Sequence, residues 1–311
     1  MKILIMGAGG VGAYFGARLQ QAGEEVVFGA RGGNLQTLRE HGLEILSHKG
    51  DFKLKVTATD DPKQYAPYDL VLFAVKSYDT ETGAKQLVGT LAPDGILMTI
   101  QNGVENEEIL CRYFPRETVM GGNSRVGAEL IAPGKVMHTA IGVIEFGELD
   151  GRLTPRAQRL AEIFKRAGIF GELTTDLKTI RWYKLMGNNG TNPVCALSLS
   201  TLGQVLADED GCDLSRTLMT EAITVGRAEG ANVSYDRVEM QLQMIKQHLD
   251  AFKIKPSTLQ DLEKGKRLEH DAICGAVVRA AARHNIPVPA TKVVFALLKM
   301  IDARIQERKQ N

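Results

Sequence analysis

Residues 2–6, Lys-Ile-Leu-Ile-Met, are a short apolar run that leads directly into Gly7-Ala8-Gly9-Gly10-Val11-Gly12 and a helical stretch closing near Gly23. A strand, then G-x-G-x-x-G, then a helix is the opening unit of a doubly wound α/β sheet that binds a dinucleotide. Gly7 permits the tight turn, Gly9 lets the backbone approach a pyrophosphate, and Gly12 allows close helix–strand packing. Anionic phosphates would sit at the helix N-terminus, where N–H groups and the helix dipole favour them. A second strand is expected over residues 25–30. At its end, where a carboxylate would receive the ribose 2′-hydroxyl of NAD, the chain has Ala30 and then Arg31. A guanidinium there suits a 2′-phosphate, which it can pair through two parallel hydrogen bonds, so these residues point to NADP(H). The competing reading is a bare glycine turn beside a solvated arginine.

At 311 residues the chain is long for one compact unit, and two domains are expected. A hydrophobic content of 44% is that of an ordinary water-soluble globular protein. A net charge of +1 gives no reason to expect nucleic acid or an anionic membrane as partner. No apolar run approaches the ~20 residues of a membrane span, and the chain enters a strand at once, with no room for a signal peptide. Cys111, Cys195, Cys212 and Cys274 are dispersed, with no C-x-x-C and no histidine at ligand spacing. No metal site and no disulfide framework is expected, and a reducing cytoplasm fits the composition best.

The first half alternates strands and helices. Residues 69–76 are an apolar run of the kind buried on both faces of a parallel sheet. Residues 95–100 form another, ending in Gln101-Asn102-Gly103. Later strands are expected at 119–120, 135–139 and 142–147, some antiparallel, with crossover helices at 80–91 and 105–114. Ligands of such a sheet bind at the carboxyl ends of its strands, where Lys76 and Asn102 fall. From about Asp176 strand signals nearly vanish, and helices are expected from Leu177 onward and over 214–229, 235–248, 257–284 and 290–308. The resulting division is a Rossmann-type domain over residues 1–174 and an all-helical domain over 175–311, with the second substrate in a cleft between them.

Two constellations carry chemistry beyond the glycine loop. Lys184, Asn188 and Asn192 are spaced i, i+4, i+8 and line one face of a helix. That helix is locally poor: Gly187 and Gly190 cost about 1 kcal/mol each against alanine, and Pro193 is expected to bend or end it near Asn189. Local sequence in conflict with its own structure marks a functional site, although a capped helix end with a solvated lysine would read similarly. Glu269 lies on an apolar face if residues 257–284 are one helix, with Leu262, Gly265, Ile273 and Ala276 as face-mates. A carboxylate there must be desolvated or paired, as a site residue or as a structural ion pair. Ser257, with Gln260 three residues on, has the capping-box signature of a helix N-cap, which is compatible with contact to a substrate carboxylate.

These elements occur in the order glycine loop, Arg31, Val75-Lys76, Gln101-Asn102-Gly103, Trp182-Tyr183-Lys184-Leu185 with Asn188 and Asn192-Pro193, Ser257-Thr258-Leu259-Gln260-Asp261, Glu269-His270-Asp271. Together they resemble the ketopantoate reductase (2-dehydropantoate 2-reductase) family over nearly the whole chain. The resemblance implies NADPH-dependent reduction of ketopantoate to pantoate, a step toward pantothenate and coenzyme A. It implies that Gly7, Ala8, Gly9, Gly10, Val11 and Gly12 form the pyrophosphate loop and that Arg31 reads the 2′-phosphate. Lys76 and Asn102 would line the cofactor groove, Asn102 toward the nicotinamide, and Gly127 would make a backbone contact to it. Lys184 would be the catalytic lysine, Asn188 and Asn192 the substrate asparagines, Ser257 the carboxylate-binding serine, and Glu269 the acid that touches both cofactor and substrate. Where some members carry a further substrate-side Asn, this chain has Leu202-Gly203, which leaves open another branched or aromatic 2-oxo acid as substrate. The expected partner is a small-molecule 2-oxo acid, and a homodimer is compatible with the chain.

Overall fold

The computed structural model describes residues 1–247 and 251–310. Contacts divide them into one unit of Met1–Gln101 with Asn106–Leu177 and a second of Asn102–Glu105 with the residues from Lys178 onward. The first unit runs β1 (Lys2–Met6), α1 (Gly10–Gln21), β2 (Glu25–Gly29), α2 (Gly32–His41), β3 (Leu43–Ser47), β4 (Phe52–Leu54), β5 (Thr57–Thr59) and β6 (Tyr68–Phe73). It continues with α3 (Thr80–Leu87), β7 (Leu91–Thr99), α4 (Asn106–Leu110), β8 (Val119–Ala132), β9 (Lys135–Glu148), α5 (Pro155–Arg166) and β10 (Phe170–Leu173).

The ten strands form one mixed sheet in the order β4-β3-β9-β8-β7-β6-β1-β2-β5, with β10 also on β9. From β5 to β8 every pairing is parallel, which is the Rossmann-type core. Side-chain alternation explains why its strands are apolar throughout. Ile3, Ile5, Leu70 and Leu72 face Tyr14 and Phe15 of α1 and Phe164 of α5. Leu4, Met6, Val71 and Phe73 face Ala84, Leu87 and Leu110 on the other side. Each such side chain contributes roughly 1.5–3 kcal/mol by leaving water.

The three short strands expected between 119 and 147 are instead one long antiparallel hairpin, β8–β9. Gly134, at a φ of +67°, turns the chain between them. Positive φ at Ile141 and Gly142 then bends β9, so that its first part pairs with β3 and its second with β10. A polar cluster sits at that bend. His138 is buried and stacked on Tyr14. Its Nε2–H donates to the Ile141 carbonyl, so Nδ1 is the acceptor for the Ser47 hydroxyl, both at 2.8 Å.

The second unit is helical: α6 (Leu177–Ser198), α7 (Leu202–Ala207), α8 (Glu209–Ala228), α9 (Asp236–Gln247), α10 (Ser257–Glu263), α11 (Ala276–Arg283) and α12 (Pro289–Gln310). The end expected for α9 at His248 lies outside the described residues. Helix α8 is central to the core and packs closely on α6. A Cβ on Gly190 would fall 2.2 Å from Met219, and one on Gly226 2.9 Å from the Trp182 ring. The Glu221 carboxylate of α8 accepts from the backbone N–H groups of Ala290 and Thr291 and from the Thr291 hydroxyl, capping α12.

Three helix expectations are corrected. Of the two outcomes expected at Pro193, a bend or an end, the end does not occur: α6 runs on to Ser198, held by packing against α8. The single helix over 257–284 is broken: Gly265 takes a φ of +59° after α10, a stretch without regular structure follows, and a π-helical turn at Asp271–Gly275 precedes α11. Ser257 is the first residue of α10 and makes no capping bond. Pro256 holds the preceding extended backbone, and the Gln260 side chain donates to Lys255 O instead.

Burial pushes the pKa of His138 below its ordinary 6.5, with His48, Lys49 and Arg18 adding to the effect and the bond to Ile141 partly offsetting it. The unfolded chain therefore takes up this proton first as pH falls. Stability present above about pH 6.5 is lost progressively as the pH falls below it. His270 is lowered by burial too and adds a loss of the same sign. Chemical denaturation across this range should show a shallower acid loss in His138→Gln than in the wild type. An unchanged slope would mean that His138 is not the titrating group.

Candidate functional site

The first unit gathers the expected dinucleotide residues at the carboxyl ends of β1, β2, β6 and β7. Gly7 leaves β1 at a φ of +106°, and a Cβ there would meet Val75 N at 2.7 Å. The N–H groups of Gly7 and Ala8 donate to Gly29 O, and Asn34 at the start of α2 donates to Ala8 O, which fixes the loop. Gly12 tucks under the loop, where a Cβ would lie 2.2 Å from Gly7 O. Gly10 is equally confined, with Ala128 O 2.4 Å from its ideal Cβ. The half-buried Val11 packs against the sheet core. Gly9 differs. It is the N-cap of α1, no side chain caps the helix, and a Cβ on it would meet nothing within 4 Å. Backbone donors at a helix N-terminus, open space beside Gly9 and a rigid floor below it fit a pyrophosphate.

The remaining residues of this unit surround that loop. Gly127 lies in β8 beside Ala128, the residue packed on Gly10, at a register shift where its ideal Cβ would be 2.5 Å from Thr139 Oγ1. Arg31 is the N-cap residue of α2, and its guanidinium donates to Asp79 at 3.1 Å. Lys76 caps the short turn 77–79 that follows β6. Beneath it, buried Gln101 donates to Val75 O and to the Thr80 hydroxyl, and accepts from Thr99. This network, which the sequence reading did not single out, ties the end of β6 to the end of β7.

The second unit carries the other set. Lys184, Asn188 and Asn192 share one face of α6, the first two half-buried and Asn192 buried. Gly187 lies on the same face, and its ideal Cβ would meet nothing within 4 Å, so room is left beside the lysine and the asparagine. Buried Asn189 points elsewhere, donating to Leu218 O and Thr291. Glu269 is buried, but not on the continuous helical stripe expected from residue 257: it ends the irregular stretch after α10, and its carbonyl accepts from Ile273 N. Its carboxylate accepts from Asn102 Nδ2 at 3.4 Å, so the structure brings Asn102 and Glu269 together. Ser257 sits in the first turn of α10, apart from this pair in the bonds described.

Two arginines hold Asn102 where it is. Arg181 donates to Gly103 O at 2.5 Å, and Arg279 grips Glu105 through two nitrogens at 3.2 and 2.6 Å. Burial lowers the Arg181 pKa to about 9, which leaves it charged at neutral pH. In a sequence such arginines look like ordinary surface charges. Among the described residues no cluster of three or more His, Cys, Asp or Glu could hold a metal ion, and no helix is long and apolar enough to cross a membrane.

Two family descriptions match the chain: "Ketopantoate reductase PanE/ApbA" over residues 3–151 and its C-terminal counterpart over 176–302. The chain belongs to the ketopantoate reductase family. A 2-dehydropantoate 2-reductase of Archaeoglobus fulgidus is 33% identical, covering 97% of this chain and 98% of that protein. The crystal structure of a PanE/ApbA family ketopantoate reductase from Ralstonia eutropha JMP134 is 35% identical with a TM-score of 0.90, covering 98% and 100%. A ternary structure of D-mandelate dehydrogenase with NADH and anilino(oxo)acetate shares the fold at a TM-score of 0.93 and 22% identity, covering 98% and 100%. As a ketopantoate reductase family member, the chain is an oxidoreductase of a nicotinamide-dependent kind.

The glycine loop of this family member separates two functions by position. Gly12→Ala forces a Cβ onto the Gly7 carbonyl and should lower the melting temperature. Gly9→Ala adds its methyl to open space at an ordinary φ of −79° and should melt like the wild type. It should nevertheless lose most of its dinucleotide affinity in a fluorescence titration. Wild-type affinity in Gly9→Ala would remove Gly9 from the phosphate site.

Proposed function

We propose that this protein reduces ketopantoate to pantoate with NADPH. The observation that carries the proposal is the face of α6 that presents Lys184, Asn188 and Asn192 beside the open position at Gly187, in a chain matched over both parts of the family. The pyrophosphate is assigned to the loop Gly7 to Gly12, the 2′-phosphate to Arg31, and the flanks of the groove to Lys76, Asn102 and the Gly127 backbone.

When bound, NADPH supplies the hydride that reduces the C2 ketone. The protein's own part is position and charge. The Lys184 ammonium hydrogen-bonds the ketone oxygen, stabilises the negative charge that develops there and delivers the proton. Asn188, Asn192 and the Ser257 hydroxyl fix the substrate, the serine on its carboxylate, so that the reacting carbon is held in one orientation. Glu269, kept in place by its bond with Asn102, accepts a hydrogen bond from the substrate hydroxyl and favours the charged form of the lysine. We assign the protein to the cytoplasm. The alternative substrate is another branched or aromatic 2-oxo acid, since the D-mandelate dehydrogenase of the same fold was solved with an aromatic oxo acid analogue.

A panel of 2-oxo acids followed by NADPH absorbance tests the reading, and ketopantoate should have the highest kcat/KM. A higher value for an aromatic acid would transfer the assignment to that substrate. Lys184→Ala should cut turnover by about 10²–10⁴-fold while NADPH affinity changes little. Glu269→Gln should lower kcat/KM and shift the pH profile of turnover with little change in melting temperature. The opposite pattern, a destabilised variant with normal kinetics, would make Glu269 a structural brace.

A further inference from the structure

The strand order β6-β1-β2 puts Arg31, after β2, and Asp79, after β6, on opposite sides of β1, the strand that delivers the glycine loop. The two nevertheless meet, Arg31 Nη2 donating to Asp79 Oδ2 at 3.1 Å, so the ion pair reaches across the end of β1. Among the described residues, neither side chain makes another hydrogen bond that explains the contact. Arg31 makes no capping bond to α2, and Asp79, the N-cap residue of α3, makes none to that helix. Their side chains are 59% and 34% exposed, so the pair is weak enough to be reorganised by a ligand.

The geometry points to Asp79 as a residue that sets cofactor selectivity. The inference rests on the assignment of Arg31 to the 2′-phosphate. A phosphate on that guanidinium and the Asp79 carboxylate are two anions drawing on the same fork of donors. They compete for its N–H groups and repel one another. A dinucleotide with a plain 2′-hydroxyl brings no such conflict. Asp79 therefore lowers the advantage of NADPH over NADH that Arg31 alone would confer, and its charge fixes how far the protein tolerates the unphosphorylated cofactor.

The test is equilibrium binding of 2′,5′-ADP and 5′-ADP, measured by calorimetry, which needs neither hydride transfer nor a substrate. Asp79→Asn keeps the shape and removes the charge. It should tighten 2′,5′-ADP about two- to fivefold, the range of an exposed charge pair, and leave 5′-ADP nearly unchanged. The gain should shrink at high ionic strength, because the repulsion is screened. Asp79→Ala should act in the same direction, and the gain for 2′,5′-ADP should be smaller once Arg31→Ala is present, because competition for the guanidinium is then gone and only the repulsion remains. Equal effects on both nucleotides, or none, would overturn the role of Asp79. Should Arg31→Ala by itself leave the discrimination between the two nucleotides intact, the assignment of Arg31 would fall, and the inference with it. A loss of discrimination in Arg31→Ala with no effect of Asp79→Asn would overturn the inference alone.

Discussion

How closely α1 can approach the end of β1 governs the N-terminal unit. The helix starts within van der Waals distance of the turn below it and of β8 beside it, and a methyl group at Gly10 or Gly12 would collide with backbone oxygens that cannot move aside. This contact aims the helix axis, and with it the donors of its first turn, at one spot above the sheet. The flanking strands are then obliged to end around that spot, so Arg31, Lys76 and the Gly127 strand arrive there by topology rather than by separate design. One close packing contact thereby gathers the residues to which the dinucleotide is assigned.

The helical unit uses a different device, buried polar groups whose hydrogen bonds join one helix to the next. Glu221 spends its carboxylate on the N-terminus of α12, and Asn189 bridges α6 to α8 and α12. Arg181 is charged and buried, a costly arrangement unless its donors are used, and the Gly103 carbonyl accepts from one of them. That expenditure has a purpose in the assignment made above: it fixes the segment that carries Asn102 against Glu269. The same polar groups also give the helices a single way to pack, since a shift of one turn would leave each of them without its partner.

Local signals were legible in the sequence and relations between distant residues were not. The strand–glycine–helix unit, Arg31 and the Lys184–Asn192 face depend on neighbours in the chain, and the elements that carry them match the reading. The carboxylate beside Arg31 lies 48 residues away and left no local trace. Ser257 and Thr201 show the same signature, a hydroxyl followed three residues later by glutamine, yet only Thr201 forms the capping box. What separates them is the backbone before the serine, where Pro256 already sits at the cap position. The helix expected through Glu269 failed for a comparable reason. Gly265 is tolerable inside a helix, but its left-handed backbone here ends one and lets the chain restart at a new angle.

The π-helical turn at Asp271–Gly275 begins just after Glu269, with His270 between them. A turn of this kind accommodates one residue more than an α-helical turn, so it behaves as a phase shift written into the chain. His270, the helical residue just before it, is rotated by about 100° relative to where an uninterrupted helix leading into α11 would have put it. Glu269 is tied to that turn through its carbonyl, which accepts from Ile273 N, so the placement of its backbone depends on the number of residues in the segment and not only on their kind. For comparisons among relatives, a one-residue gap within 271–275 would remove the extra residue that makes this turn, however similar the letters on either side.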